Sequence, residues 1–115
     1  MASDTGLWTY RRAGCTGGVA EVGAVLGRQV ALPLHFHDED QLAFVIAGQR
    51  RFVIGQSLHG AGPGRSVHIR AGTPHRSLAE GVDVVCLNLY LAPGCHDVPA
   101  LQAALTARWR SGASF

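Results

Sequence analysis

Short apolar runs bounded by glycine or proline are the feature that most constrains what this chain can fold into. Fifteen glycines and five prolines divide the sequence, and the runs between them are rich in β-branched and aromatic residues that favour strands. Eight short strands separated by turn residues predict an all-β sandwich or barrel. The candidate strands span 7–12, 19–26, 29–37, 41–47, 50–54, 66–70, 75–78 and 82–91.

The last twenty residues have a different pattern. Leu101, Leu105 and Trp109 recur every four residues among several alanines, and Asp97 is a suitable N-cap, which together predict one amphipathic helix. Packing of its Leu/Trp stripe on the chain's own barrel is favoured over presentation of that stripe to a partner.

The length of 115 residues fits one domain. We expect a β-barrel at 1–96, with a C-terminal helix and tail of the same domain at 97–115. No run approaches the roughly 18–20 apolar residues of a membrane helix. The first residues lack a basic segment followed by an apolar one, so we expect a cytoplasmic protein with no membrane partner.

The charge pattern bears on the class of partner. The chain carries a net charge of +2, and its arginines lie in short scattered groups such as Arg11-Arg12 and Arg50-Arg51. A nucleic-acid-binding surface is usually strongly basic on one face. We therefore expect no direct nucleic-acid contact by this chain.

Three histidines and a glutamine form the strongest candidate site. His35 and His37 are two residues apart in a predicted strand and therefore share one face. Two imidazoles placed in this way can converge on a metal ion. Gln41 follows on the same strand parity, and His75 lies in a second glycine-bounded block.

The spacing of these residues resembles the two motifs of the cupin superfamily, which read G-x5-H-x-H-x3,4-E-x6-G and G-x5-P-x-G-x2-H-x3-N. The resemblance covers roughly 29–91 and implies a double-stranded β-helix, the jelly-roll-like barrel of that superfamily. The matching positions are His35, His37, Gln41 and Gly48 in the first motif and Gly64, Gly72 and His75 in the second. The resemblance implies that the metal ligands are His35, His37, Gln41 and His75.

The match to the motifs is incomplete. Gln41 stands where the family has glutamate, Arg70 where it has proline and Ala79 where it has asparagine, and Gly27 is two residues too early. Three neutral imidazoles and a neutral amide would leave a divalent ion its full charge. Such an ion would be held less tightly but would be a stronger Lewis acid.

The ligand set leaves open which metal ion is bound and which other residues face it. Imidazole-rich sites suit Zn, Fe, Ni, Mn or Cu. Glu39 is a rival ligand with the parity of Gln41, although the acidic run around it favours a solvated turn. Ala43 and Val45 follow on the predicted inner face, so we expect a ligand pocket lined by Ala43, Val45 and Glu39. Ordinary alternation of small and large residues in a tapered barrel explains the two small residues equally well.

The chain most resembles the small cupin domains that form the sensory N-terminal half of AraC-type transcription regulators, through His35–Leu42, 71–75 and 87–91. That resemblance implies a small-molecule effector and homodimerisation. It makes the chain either the sensor half alone or a free-standing cupin. The alternative function is a metal-dependent enzyme, an oxygenase, isomerase or lyase with a small substrate.

Two further expectations concern dimerisation and thiols. An exposed apolar face on the side of the sheet away from the predicted ligands would favour a homodimer. The residues of that face are Leu34, Phe36, Leu42, Phe44 and Ile46. The odd number of cysteines, three, predicts reduced thiols packed as small apolar groups.

Overall fold

A computed structural model describes residues 19–27, 32–35 and 38–115, with the side chains described for 38–115. The predicted strand at 7–12 lies outside the described residues. Within the described ranges, eight strands precede one helix: β1 (Val19–Gly27), β2 (Leu32–His35), β3 (Asp40–Ala47), β4 (Arg50–Ile54), β5 (Ser57–Ala61), β6 (Ser66–Ile69), β7 (His75–Ser77), β8 (Val84–Leu91) and α1 (Val98–Ser111).

The strands form two antiparallel four-stranded sheets. One has the order β1-β8-β3-β6 and the other the order β2-β7-β4-β5. Both orders place strands from distant parts of the chain side by side, as β1 lies beside β8 and β2 beside β7. The predicted all-β class with a C-terminal helix is confirmed. Strand β5, which is not among the candidate strands of the sequence analysis, extends the second sheet beyond β4.

The inner faces of the two sheets enclose one apolar core. Its members are eight residues that are at most 8 % exposed and come from both sheets. They include Ala43 and Val45 from β3 and Phe52 from β4. Burial of these side chains is the main force that holds the two sheets together. The members with described side chains are Ala43, Val45, Phe52, Ala61, Val67, Ile69, Val84 and Cys86.

A second apolar core lies between the outer face of the first sheet and α1. Leu42 and Phe44 of β3 pack there against Leu101 and Leu105 of the helix. Side chains alternate between the two faces of a strand, so β3 contributes to both cores. The predicted stripe therefore packs on the chain's own barrel. The apolar face proposed for dimerisation is covered by the helix at Leu42 and Phe44, and this argument for a homodimer is lost.

The helix is fixed at both ends. Asp97 Oδ1 accepts a hydrogen bond from the Ala100 amide at 3.0 Å, as expected of an N-cap. Trp109 Nε1 donates to the Ile46 carbonyl at 3.1 Å. Gly64 has a φ of +79°, and a Cβ there would lie 2.7 Å from the Trp109 ring. Only glycine suits this position, because it permits both the backbone conformation and the approach of the indole.

Candidate functional site

His75 is held in one tautomer at the start of β7. The side chain is 1 % exposed, and its Nδ1 lies 2.8 Å from the Thr73 carbonyl oxygen. A carbonyl can only accept, so Nδ1 carries the hydrogen and Nε2 carries the lone pair. This is the protonation state in which a neutral histidine binds a metal ion through Nε2.

The backbone register brings His35 and His75 together. Strand β2 ends at His35, and its register partner across the antiparallel pair is His75 of β7. Residues directly opposite each other in such a pair are nearest neighbours between the two strands. Two of the predicted ligands therefore occupy adjacent backbone positions, while His37 lies outside the described residues.

Gln41 is buried on the inner face of β3. Its side chain is 3 % exposed, and Nε2 donates to Asn88 Oδ1 at 2.9 Å. Among the residues with described side chains, none donates to Gln41 Oε1, which is itself buried. A buried oxygen without a donor is costly. The unpaired Oε1 suits a cation, because a glutamine binds a metal ion through this oxygen.

Among the side chains that the structure describes, no group of three or more histidine, cysteine or acidic residues is arranged to hold a metal. Those described side chains include neither that of His35 nor that of His37. The orphan Oε1 of Gln41 and the tautomer of His75 are the described features that fit a metal ion.

Glu39 lies in a bend before β3 and is half-buried. The strand begins only at Asp40, so the alternation that would turn Glu39 inward from an unbroken strand does not apply. Ala43 and Val45 are 1 % and 0 % exposed within the inner apolar core. They pack against other side chains of the barrel there, and their contact with a ligand stays a prediction.

Arg50 is the inward-facing residue that the sequence interpretation did not include. Its side chain is 1 % exposed, and Nη1 donates to Asn88 Oδ1 at 3.1 Å and to Cys86 Sγ at 3.5 Å. The guanidinium carbon lies 4.7 Å from the Phe52 ring centroid. Asn88 Oδ1 therefore accepts from both Gln41 and Arg50, which connects the candidate metal ligand to a buried cation.

Arg51 points to the opposite side of β4. Its Nε lies 3.2 Å from the Glu80 carboxylate, and its backbone amide also donates to Glu80. The sequence alone could not show which of Arg50 and Arg51 faces the interior, because that depends on the number of residues in the loop at Gly48. Strand β3 ends at Ala47 and β4 begins at Arg50, so the loop has two residues and Arg50 takes the inner face.

Tyr90 also lies near the candidate ligands. It is half-buried on β8 and is the register partner of Gln41 on β3. Tyr90 lies on the same face of β8 as Cys86 and Asn88, and that face points into the barrel interior. A phenol hydroxyl can donate or accept a proton, so this position adds a group capable of proton transfer beside Gln41.

His68 and His96 lie on the outer side of the barrel. They border a cleft of about 510 Å³ beside the start of α1, together with Asp40 and Arg70. His68 Nε2 is 3.9 Å from Asp40 Oδ2. Burial lowers the pKa of His68, while Asp40 raises it and Arg70 lowers it further. This cleft is separated from the barrel interior by β3 and β6.

The cysteines differ from the expectation of three reduced thiols. Cys86 is free and buried in the inner core, and burial raises the pKa of its thiol. Cys95, which directly follows the turn after β8, is disulfide-bonded. Sequence spacing gave no indication of this bond, because a cross-link depends on chain segments that only the fold brings together.

The chain belongs to the cupin family, since the family described as cupin domain matches residues 25–90. No curated protein matches the chain significantly. The predicted membership of the cupin superfamily is thus confirmed. The match includes the positions of His35, His37, Gln41 and His75.

Solved structures resemble the chain at the level of the fold. A cupin protein from Bacteroides fragilis aligns with a TM-score of 0.57, 18 % identity and coverage of 66 % of this chain and 68 % of its own. An RmlC-like cupin family protein with a double-stranded β-helix fold from Methanocaldococcus jannaschii has a TM-score of 0.54, 16 % identity and coverage of 64 % and 69 %. The double-stranded β-helix is therefore confirmed as the fold.

An enzyme is also among the similar structures. The DMSP lyase DddQ from Ruegeria pomeroyi DSS-3 aligns with a TM-score of 0.52 and 24 % identity over 62 % of this chain. The aligned part spans only 38 % of that lyase.

Within the described residues, no helix is long and apolar enough to cross a membrane.

Proposed function

We propose that the barrel interior is a small-molecule-binding site that holds a divalent transition metal through His35, His37, Gln41 and His75. The observation that carries this proposal is the buried Gln41 Oε1, which lacks a donor among the described side chains although Nε2 of the same amide is hydrogen-bonded. The tautomer of His75 and its register with His35 support the same site.

The metal would supply Lewis-acid character to a bound ligand and would be one of Zn, Fe, Ni, Mn or Cu. The chain's own residues do the positioning. Thr73 fixes the ring nitrogen that His75 presents, and Asn88 fixes the amide orientation of Gln41. Phe52 packs edge-on against His75, with the two ring centroids 6.4 Å apart.

The proposed role of the binding site is to sense an effector, as in the AraC-like regulators that the sequence resembles. Helix α1 packs on the outer face of the strand that carries Gln41, since Leu42 belongs to the core shared with the helix. A shift of β3 on ligand binding would thus reach α1 directly. In this role the chain would form a homodimer and bind a small effector in the cytoplasm.

The alternative role is that of a metal-dependent enzyme that acts on a small substrate. The position of Tyr90 beside Gln41 favours it, because the hydroxyl provides a proton donor or acceptor near the ligands. Tyr90→Phe distinguishes the two roles. A sensor would retain ligand affinity in this variant, whereas an enzyme would lose turnover of the same ligand without a matching loss of binding.

Cobalt(II) titration of chelator-treated protein tests the proposed ligands. The visible absorption of Co(II) reports its coordination geometry, and we expect it to saturate at about one ion per chain. His75→Ala and Gln41→Ala should each weaken binding. His59→Ala, in an exposed position on β5, is the matched control and should titrate as the wild type does. Equal titration of all four proteins would contradict the proposed site.

A further inference from the structure

The charge of Arg50 is not balanced by any described acid. Its side chain is 1 % exposed in the barrel, and both of its hydrogen bonds come from Nη1 and end on neutral acceptors. Nε has no partner among the described side chains. A buried cation without a counter-ion is costly because its hydration is lost.

Two of the described carboxylates, Glu80 and Asp40, have other partners. Glu80 binds Arg51 on the opposite side of β4, and Asp40 accepts from the Ala71 amide on the outer side of β3. Cys86 does not serve as an anion, since burial raises the pKa of its thiol and keeps it protonated at neutral pH. The Phe52 ring offers only the partial compensation of a cation–π contact.

We infer that Arg50 is the binding residue for the carboxylate of a small organic acid in the barrel interior. The inference deepens the proposed function, since it names the ligand class of that same interior. The guanidinium fork matches a carboxylate in two parallel hydrogen bonds, and Nε is unpartnered. The inner apolar core, which includes Phe52 beside the guanidinium, suits an organic body rather than an inorganic ion.

Asn88 joins this anion site to the candidate metal ligands. Its Oδ1 accepts from Gln41 Nε2 and Arg50 Nη1 at 2.9 and 3.1 Å, which orients both side chains toward the same amide. A ligand with its carboxylate on Arg50 would therefore extend toward Gln41. Asn88 is a positioning residue in this arrangement, because its amide oxygen has no charge with which to satisfy the guanidinium.

Matched pairs of acids and amides test the inference. Each compound is titrated calorimetrically into chelator-treated and into cobalt-loaded protein, with inorganic phosphate alongside. The pairs are acetate and acetamide, succinate and succinamide, and benzoate and benzamide. In at least one form we expect an acid to bind about tenfold or more tightly than its amide, because a hydrogen bond to a charged group is lost. Arg50→Met should abolish this preference, and Arg51→Met, the neighbouring control, should retain it.

Asn88→Asp provides a second variant that does not depend on the stability of Arg50→Met. The substitution is nearly isosteric and puts a carboxylate where Arg50 Nη1 already donates. We expect a higher Tm than the wild type without ligand, and loss of the acid preference, since the guanidinium then has an internal counter-ion. A lower Tm together with a retained acid preference would overturn the inference.

The remaining outcomes separate this inference from the proposed metal site. Acid preference in protein that binds no cobalt would refute the metal site and leave the anion site standing. If the protein binds cobalt but binds acids and amides equally well, with and without the metal, the anion site is refuted and the metal site stands. Binding of inorganic phosphate alone, absence of binding by every acid, or an unchanged preference in Arg50→Met would each overturn the assignment of Arg50.

Discussion

The guanidinium of Arg50 donates from Nη1 to the Oδ1 of Asn88 at a distance of 3.1 Å. This contact crosses the barrel from β4 of one sheet to β8 of the other. Because Gln41 donates to the same oxygen, one amide of β8 sets the orientation of two functional side chains. The polar network is embedded in an apolar core, where each of its hydrogen bonds is shielded from water.

Gln41→Glu should strengthen metal binding. A carboxylate in place of the amide neutralises one unit of the ion's charge, and we expect about tenfold tighter binding, which corresponds to roughly 1.4 kcal/mol. Competition titration of Co(II) against a chelator of known affinity measures the change. Gln56→Glu is the control, since Gln56 is exposed in the β4–β5 turn. Weaker metal binding by Gln41→Glu than by the wild type would argue against coordination through this side chain.

Leu105→Ala should destabilise the protein through the core between α1 and the first sheet. Leu105 is 0 % exposed, and truncation of a buried leucine costs about 2–5 kcal/mol. Urea unfolding followed by tryptophan fluorescence measures the free energy of unfolding. Ala107→Ser, at an exposed position of the same helix, should have a change of less than about 0.5 kcal/mol. Similar values for both variants would show that the helix does not contribute to this core.

Acidification should destabilise the protein through His68. Its pKa is lowered chiefly by burial, so below about pH 6.5 the unfolded chain takes up a proton more readily than the folded one. Stability from this group is present above that pH and is lost as the pH falls toward the folded-state pKa.

The sign of this effect is checked with His68→Gln. Between about pH 7.5 and 5.5 the wild type should lose more of its free energy of unfolding than the variant. The exposed His59→Gln variant should behave as the wild type does. A steeper loss in His68→Gln than in the wild type would mean that Asp40, 3.9 Å away, outweighs burial.

Much of the fold could be predicted from local patterns. The alternation of β3 separated Leu42 and Phe44 from Ala43 and Val45, and the structure places these pairs in different cores. The N-cap at Asp97 and the stripe of α1 were also recognisable, because capping and helical periodicity are local properties. Strand β5 was missed, because Ser57–Ala61 has little apolar character and is exposed over most of its length.

The candidate site was predictable only in part. The histidine spacing and Gln41 are visible in the sequence, but the bond between Gln41 and Asn88 joins residues 47 positions apart. Arg50 and Arg51 could not be distinguished without the length of the turn at Gly48. The consequence of that turn is large, since it places one arginine in the interior and pairs the other with Glu80.

Elemental analysis of the purified, untagged protein beside His75→Ala tests the central claim most directly. His75 is buried and its tautomer is fixed by Thr73, so we predict about one divalent transition metal per chain in the wild type and its loss in the variant. His59→Ala should retain the wild-type content. No metal in the wild type, even after dialysis against Zn, Fe, Ni and Mn, or the same content in His75→Ala, would contradict the claim.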